Sequence, residues 1–537
     1  MSKHNKIDRR SVLRLTGIGA LATIAGCADS SDSGSGTTGG GDGGTAAGDG
    51  SSGDGSGGTP SRSADSEFMS AAMELGLTDN WRARRIDVRE DWSMDARRDV
   101  PDRSDDTSWE GFESFETAPW EPPEGWEDTI AGEVDSIQVV NHGAANMEFD
   151  PATLATHELF EKKTGIEIEA VEIGVDQANL KEQQFLGSQK SQPQMFNVDG
   201  TLMPLLVQQG LLEVTDPLYS EDVFSAYVET LPQTVRWGID SSREGTHTYG
   251  YPNILEGTVG NLRPDLVESQ GIDPSRFEGE WTWDLLEETM QAFEGTDVFG
   301  HAYYAGTPTY LFISYRQHLY QQGANMVADD GTVRVDTEPS RRVLRKFREW
   351  RDKGWVPSDV ITYTEGDLID LFLSGKLAYA NAFSDFVPRS LNEYEAGSEY
   401  QVVVPPAATA GPDPQQAGVT APNATAVNPF ADPAEKLVAL MYGDLRLSYP
   451  SQWWEFTYEG NMTYLKQVYD DSSEADFVQF GDIIGDSIER GKIELFPQMQ
   501  SIFQRIADPF QKAITGDLSP EEATTQAQTF IDSVLSQ

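Results

Sequence analysis

Among 537 residues there is one cysteine, Cys27, and there are six histidines; basic side chains number 39 against 88 acidic ones. Each shortage excludes something. A single thiol permits no disulfide within the chain, no Cys-rich metal site and no Cys–His nucleophile. The histidines are scattered and make no metal-ligand spacing, so neither a metal nor a cofactor is expected. A formal net charge of −49 is the opposite of the basic footprint that nucleic-acid binding needs. Also missing are Gly-x-Ser-x-Gly, a phosphate loop ending in Gly-Lys-Ser/Thr, and His-Glu-x-x-His. Gly-x-Gly-x-x-Gly, as at Gly53, Gly55 and Gly58, occurs only in a Gly-rich stretch, follows no strand and reflects composition. Asp329-Asp330-Gly331 reads as a hairpin turn between Met326-Val327 and Val333-Val335, not as a calcium loop.

What is abundant is carboxylate. The acids run along the whole chain and are not gathered in one block, which favours a surface adapted to molar salt over a cation-binding patch. At ~1 M salt the Debye length is about 3 Å, so recognition there must rest on contact, stacking and hydrogen bonds. Residues 28–63 hold almost only Gly, Ser, Thr, Asp and Ala. They cannot offset their own ordering entropy and read as a flexible tether. Ahead of the tether, Lys3, Lys6, Arg9, Arg10 and Arg14 form a basic start. The mostly apolar run Val12–Ala25 follows and is too short to span a bilayer. The Arg9-Arg10 pair resembles a twin-arginine export signal. Ile24-Ala25-Gly26-Cys27 resembles a lipobox, which implies a lipidated Cys27 holding the mature protein on the extracellular face of the cell membrane. One acyl chain holds weakly, so stable anchoring needs more than one.

The body of the chain is long enough for two to four ordinary domains. Residues 64–134 carry five of the twelve tryptophans, Trp81, Trp92, Trp109, Trp120 and Trp126, with one helix expected at 66–75 and little strand signal. This segment reads as an extension that wraps the main body by inserting Trp. From Asp135 the pattern is α/β. Strands at 137–140, 166–173 and 195–199 alternate with helices at 152–163 and 177–187, a βαβαβ start that predicts a mainly parallel sheet with ligand contacts at the carboxyl ends of the strands. Further on, 339–353 is a helix with Pro339 in its first turn, the stripe Val343, Leu344, Phe347 and Trp350, and Gly354 as its stop. A helix at 367–374, a strand at 377–383 and a helix at 520–535 follow. No internal repeat or coiled coil is visible.

Four stretches then carry a family resemblance. They are His157 to Ile166 with its Thr164-Gly165 turn, and Phe196-Asn197-Val198-Asp199-Gly200 with Leu211 to Leu218. The third is Tyr249-Gly250-Tyr251-Pro252 through Glu256 with Trp281 to Leu286, and the fourth is Glu365-Gly366-Asp367 through Ala378. In order and spacing over about 400 residues, the chain resembles the family 1 extracellular solute-binding proteins of ABC importers, the group that includes maltose-binding protein, here of a halophilic archaeal type. The resemblance implies a two-lobed, periplasmic-binding-protein-like α/β fold (type II), closing on its ligand by hinge bending. It places lobe 1 at 135–252 plus 405–450 and lobe 2 at 256–400 plus 451–537. Two departures touch the ligand class. The family's Tyr-Asn-Lys-Asp run is here Gly260 to Asp265, and its Gly-Gly-rich return strand is Gly418 to Asn423.

A sugar site needs carboxylates or amides for its hydroxyls and rings for its C–H faces. The cleft candidates are Asn141, Asp199, Tyr251, Glu256, Tyr310, Phe383, Asp385, Phe386, Trp453 and Trp454, with His142 more a loop filler. Asp199, Glu256, Asp385 and one of the tryptophans lead. Against them stand plainer readings: Asp199 as a helix cap, Glu256 as a hinge ion-pair partner, and the Trp pair as core. The expected partners are a carbohydrate, the membrane subunits of an ABC permease, and the membrane through its lipid anchor, with the protein a monomer. A tethered glycoside hydrolase, which needs two carboxylates about 5–10 Å apart, a binder of peptide or another polar solute, and a purely structural envelope protein stay open as alternatives. The bases Arg341, Arg342, Arg345, Lys346, Arg348, Arg351 and Lys353 share one helix, read first as a solvated face balanced by nearby acids and second as a docking face for an acidic partner. Asn423-Ala424-Thr425 and Asn461-Met462-Thr463 fit the glycosylation pattern.

Overall fold

The computed structural model describes residues 67–78, 80–99, 109–130, 132–143, 151–174, 178–215, 223, 225–227, 236–237, 247–328, 330–475, 478–496 and 498–536. The chain divides into two units, Met1–Gly57 and Gly58–Gln537, and every described residue belongs to the second. The twin-arginine pair, Cys27 and the tether lie outside the described residues, as does the side chain of His142.

Three parallel strands begin the sheet: β1 (Ser136–Gly143), β2 (Glu167–Gly174) and β3 (Met195–Asp199), in the order β2-β1-β3. The helices Pro151–Thr164 and Ala178–Gly187 make the crossovers that parallel strands require. The first of these starts on proline and stops at Gly165, which takes φ +73°. Beyond β3 the sheet changes sense. β3 pairs antiparallel with β9 (Thr420–Val427), and β9 pairs antiparallel with β6 (Tyr251–Leu262). β6 then pairs antiparallel with β7 (Tyr379–Phe383) and β8 (Gln401–Val403), completing seven strands; β4 (Arg236–Trp237) and β5 (His247–Thr248) form a separate ribbon. The expected parallel character therefore belongs to β2-β1-β3, and to isolated bridges from Phe299 to Leu377 and Ala302 to Ala380. The rest is antiparallel because β6 and β9 run back through the sheet as return strands.

The helices beyond β6 are set by their first residues. Thr307, Thr337, Thr364 and Ser519 accept from backbone N–H groups at the starts of Pro308–Tyr320, Glu338–Asp352, Glu365–Leu373 and Pro520–Leu535. The Asp330 turn is as expected, with Val327 bridging Val333 antiparallel and Gly331 at φ +78°. In helix Glu338–Asp352 the bases meet acids: Arg341 with Asp336 at 2.5 Å, Lys346 with Glu287 at 2.6 Å, Lys353 with Glu349 at 2.6 Å, and Arg345 with both Glu338 and Glu521. The balanced-face reading accounts for this helix.

Two clusters of buried apolar side chains form the core. One is built around β1–β3, β9 and the helices Pro433–Arg446 and Tyr449–Trp454; the other around Trp283, Phe312, Phe347, Trp350, Phe503 and Phe510. Buried side chains between 453 and 488 pack in the first cluster, although 451–537 was expected wholly with lobe 2; only the part from Phe496 onward packs in the second.

The extension supplies the reason. Trp92 and Trp109 lie 6.3 and 5.2 Å from the Trp454 ring, and Trp120 is 5.9 Å from Phe160. Arg84 and Arg85 meet the buried Asp444 at 3.1 and 2.6 Å, and Arg97 meets Asp471 at 2.7 Å. Burial alone would raise the Asp444 carboxyl, but Arg85 and Arg84 outweigh it and hold the group below its ordinary range.

Candidate functional site

β6 changes partners in mid-strand. Its register with β9 runs from Tyr251–Thr425 to Gly257–Thr420, and its register with β7 begins at Thr258–Phe383. Glu256 sits at that switch, opposite Ala421. The Ser384 N–H donates to the Gly257 carbonyl at 3.0 Å, and the chain then turns through Asp385, the cap of helix Phe386–Glu393, just past the point where β6 changes partners. On the other side, Asn423 Nδ2 approaches Glu256 Oε1 at 3.5 Å and is itself in register with Asp199. Asp199, Asn423 and Glu256 thus form one polar row across β3, β9 and β6, with Asp385 just past the end of β7.

A second group closes on this row from the helices. The N–H groups of Ala305 and Gly306 both donate to the Tyr363 carbonyl, at 3.1 and 2.8 Å. A Cβ at Gly306 would lie 2.3 Å from the Thr362 carbonyl oxygen, so glycine permits this approach. The stitch brings Tyr304 and Tyr310, whose rings are 5.3 Å apart, to the start of helix Glu365–Leu373. There Thr364 and Asp367 form a capping box that orients Glu365 as the first helical residue. Tyr310 donates to Glu365. Arg389, 42% exposed, pairs with Asp385 at 3.2 Å.

The electrostatics are one-sided. Burial, then the charges of Asp385 and Glu256, push the half-buried Glu365 carboxyl well above the ordinary range, opposed by Arg389 and the Tyr310 hydrogen bond. Burial, then Glu365, Tyr310, Asp385 and Glu256, raise the Tyr304 phenol, which stays a neutral donor. Four enclosed polar atoms here have no partner in the protein: Glu365 Oε1, Asp385 Oδ1, Ser384 Oγ and the Tyr304 hydroxyl. Enclosed polar atoms are normally paired, so these atoms suit a polar guest.

The sequence candidates therefore separate. Glu256, Asp385 and Tyr310 are brought together, with Asp199 at the end of the row. Asp199 also does the capping work, since its Oδ1 accepts from Thr201 N and Oγ1 at 2.7 and 2.8 Å. Six of the ligand candidates are corrected. Trp453 and Trp454 are 0% exposed, enclosed by Arg97, Trp92, Trp109 and Phe115 of the extension, and cannot serve as a platform. Tyr251 is buried against Gly443, on the side of Arg85 and Asp444. Phe386 packs on Phe372 at 5.1 Å, and Phe383 is buried within β7. Asn141 lines an internal cavity of about 10 Å³ with Thr153, His157 and Arg446, room for a water and not for a sugar. Asn423 and Asn461 are each 9% exposed, too enclosed to present a glycan acceptor. Tyr304, Ser384, Glu365 and Asn423 were missed. Thr364-Glu365-Gly366-Asp367 reads locally as a helix cap, and only the distant stitch through Tyr363 makes it a site.

A sheet whose return strand crosses between two sets of helices, with enclosed carboxylates at the crossing, defines a two-lobed binding protein. Residues 144–444 match the bacterial extracellular solute-binding protein family, and the chain belongs to that family. Binding proteins of Brucella abortus (strain 2308) and Brucella suis biovar 1 (strain 1330) are each 22% identical over 207 residues, 38% of this chain, and the chain spans about half (47%) of the length of these curated relatives. Similar solved structures include maltose-bound MalE3 of T. maritima (17% identity, 74% of this chain and 99% of that one, TM-score 0.62). A solute-binding protein from Thermotoga lettingae TMO bound with α-D-tagatose is similar as well (21%, 75% and 100%, 0.64). So is one from Agrobacterium radiobacter K84 in complex with ribitol (14%, 74% and 98%, 0.63). These share the two-lobed fold. Among the described residues no helix is long and apolar enough to cross a membrane.

Proposed function

We propose that the protein captures a small polyhydroxylated solute, a sugar or sugar alcohol, beside Glu256 and hands it unaltered to an ABC-type importer. The observation that carries this reading is the row Asp199–Asn423–Glu256, with Asp385 just past the end of β7, lying where β6 passes from one half of the sheet to the other. Charged acceptors and an amide match hydroxyls, the half-buried Tyr310 adds a ring surface, and the Tyr304 hydroxyl adds a donor. The maltose, tagatose and ribitol held by proteins of like fold support the class. β6 and β9 serve as hinge strands between a first lobe near 135–252 and 405–450 and a second from 256. Binding shifts the open–closed balance, and the closed form docks on the permease. The twin-arginine pair and Cys27 support export and lipid attachment of a monomer on the extracellular face of the cell membrane, in a cell that lives at high salt.

A thermal-shift screen of mono- and oligosaccharides and polyols in molar KCl, with chromatography of the incubated ligand, tests this. A saturable rise in unfolding temperature with the ligand recovered intact is expected. Product from an oligosaccharide would favour the hydrolase instead, and no stabilisation by any carbohydrate would refute the reading.

A further inference from the structure

We propose that the loop 460–464 is a positioning element for the solute site and that the Trp-rich extension ahead of β1 seats this loop, which makes Met462 and Trp109 positioning residues that set affinity. The inference rests on the solute-binding reading above. Both segments lie outside residues 144–444, the part of the chain that matches the family.

The loop touches the crossover at four points. One residue before Glu256, the Leu255 N–H donates to the Met462 carbonyl at 3.2 Å. One residue after it, a Cβ at Gly257 would lie 2.2 Å from Met462 Sδ, so the Met462 side chain rests directly on the strand. A Cβ at Gly460 would lie 2.8 Å from the Ser384 carbonyl oxygen, and Gly460 takes φ +74°, so glycine lets the chain turn this close to the end of β7. The Tyr464 hydroxyl donates to the Asn423 carbonyl at 3.2 Å. Met462 thus brackets Glu256, and its neighbours in the loop meet the strands on either side.

The extension reaches the loop in a few steps. Trp109 lies 5.2 Å from Trp454 and 5.5 Å from Tyr458, and Trp453 Nε1 donates to the Arg97 carbonyl at 3.4 Å. Trp454 leads into a π-helical turn, Glu455–Glu459, a geometry that recurs at functional sites. The buried Glu455, paired with Arg446 at 3.0 Å, accepts from Asn461 N at its own carbonyl (3.1 Å) and from Asn461 Nδ2 at Oε2 (3.0 Å). Gln452 Oε1 accepts from Thr463 Oγ1 at 2.6 Å and from Tyr464 N at 3.2 Å. A loop held in this way keeps Glu256 and Asn423 in place before the solute arrives, so binding loses less conformational freedom.

The test is titration calorimetry on the full chain in molar KCl, with whichever of glucose, maltose, trehalose, D-tagatose and ribitol raises the unfolding temperature most. It is run at a temperature where thermal melts show every variant folded. Met462→Ala and Trp109→Leu are expected to weaken binding at least fivefold. Met462→Leu, which keeps a side chain of like volume against Gly257, should stay within twofold of wild type. So should Trp120→Leu, which removes an extension tryptophan that packs on Phe160 instead. If Trp109→Leu does not fold, Trp109→Phe takes its place, with at least a threefold weakening expected. Unchanged affinity in Met462→Ala or in the Trp109 variant would overturn the inference and leave the sugar reading standing. Equal weakening in Trp120→Leu would mark a general loosening and overturn it as well. Binding of no carbohydrate by the wild type would defeat both readings.

Discussion

The carboxyls of the buried Asp444 and the half-buried Glu365 shift in opposite directions, Asp444 downward through its arginines and Glu365 upward through burial and then its acidic neighbours. Asp444 has Arg84, Arg85 and the Trp120 N–H around it, so its folded carboxyl is more acidic than the unfolded one. Its stabilisation is present above about pH 4 and is lost as pH falls through the lowered folded value. Asp444→Asn leaves Arg85 buried without its counter-charge and should cost about 3–5 kcal/mol at pH 7, read by thermal or urea unfolding. Glu365 is the reverse. Its raised folded value means that the folded state holds the proton more tightly, so stability falls as pH rises from the ordinary carboxylate range toward that value. Glu365→Gln should therefore raise the unfolding temperature at pH 7, by roughly 1–3 °C, and change little at pH 4. The carboxylates of the row were legible because strand ends at a crossover are where charge has few structural reasons to be. Trp453 and Trp454 were not, because the rings that enclose Trp454 come from Trp92, Trp109 and Phe115, more than three hundred residues earlier in the chain.

At the scale of elements, the helices and the parallel start of the sheet could be read, and the antiparallel return through β6 and β9 could not. Helix 339–353 announced itself through Pro339, a four-residue apolar stripe and Gly354, and it forms as Glu338–Asp352; Pro520–Leu535 likewise starts on its Ser519–Glu522 capping box. Those signals are local. The pairing of β3 with β9 joins Asp199 to Asn423 across more than two hundred residues, and nothing local to either strand specifies its direction. The cap of helix Glu365–Leu373 ties local structure to the site. Thr364→Ala should cost about 1 kcal/mol of stability and, by loosening Glu365, weaken ligand binding severalfold in calorimetry, whereas Thr337→Ala should cost similar stability and leave binding unchanged.

For the whole molecule, the extension and the charge set the working conditions. Trp92, Trp109 and Trp120 close over Trp454, Tyr449 and Phe160, so the family fold here is completed by a segment ahead of its first strand. A net −49 is self-repelling when unscreened, and dilution from molar to ~0.1 M KCl should lower the unfolding temperature by many degrees, reversibly on restoring salt. On the proposed reading, a solute binds at the point where β6 changes partners. Titration calorimetry of the best-stabilising sugar or sugar alcohol, in molar KCl, with wild type beside Glu256→Ala, measures that directly. One-to-one binding that weakens at least tenfold in the variant is expected; equal affinity in the two proteins would contradict a site at Glu256.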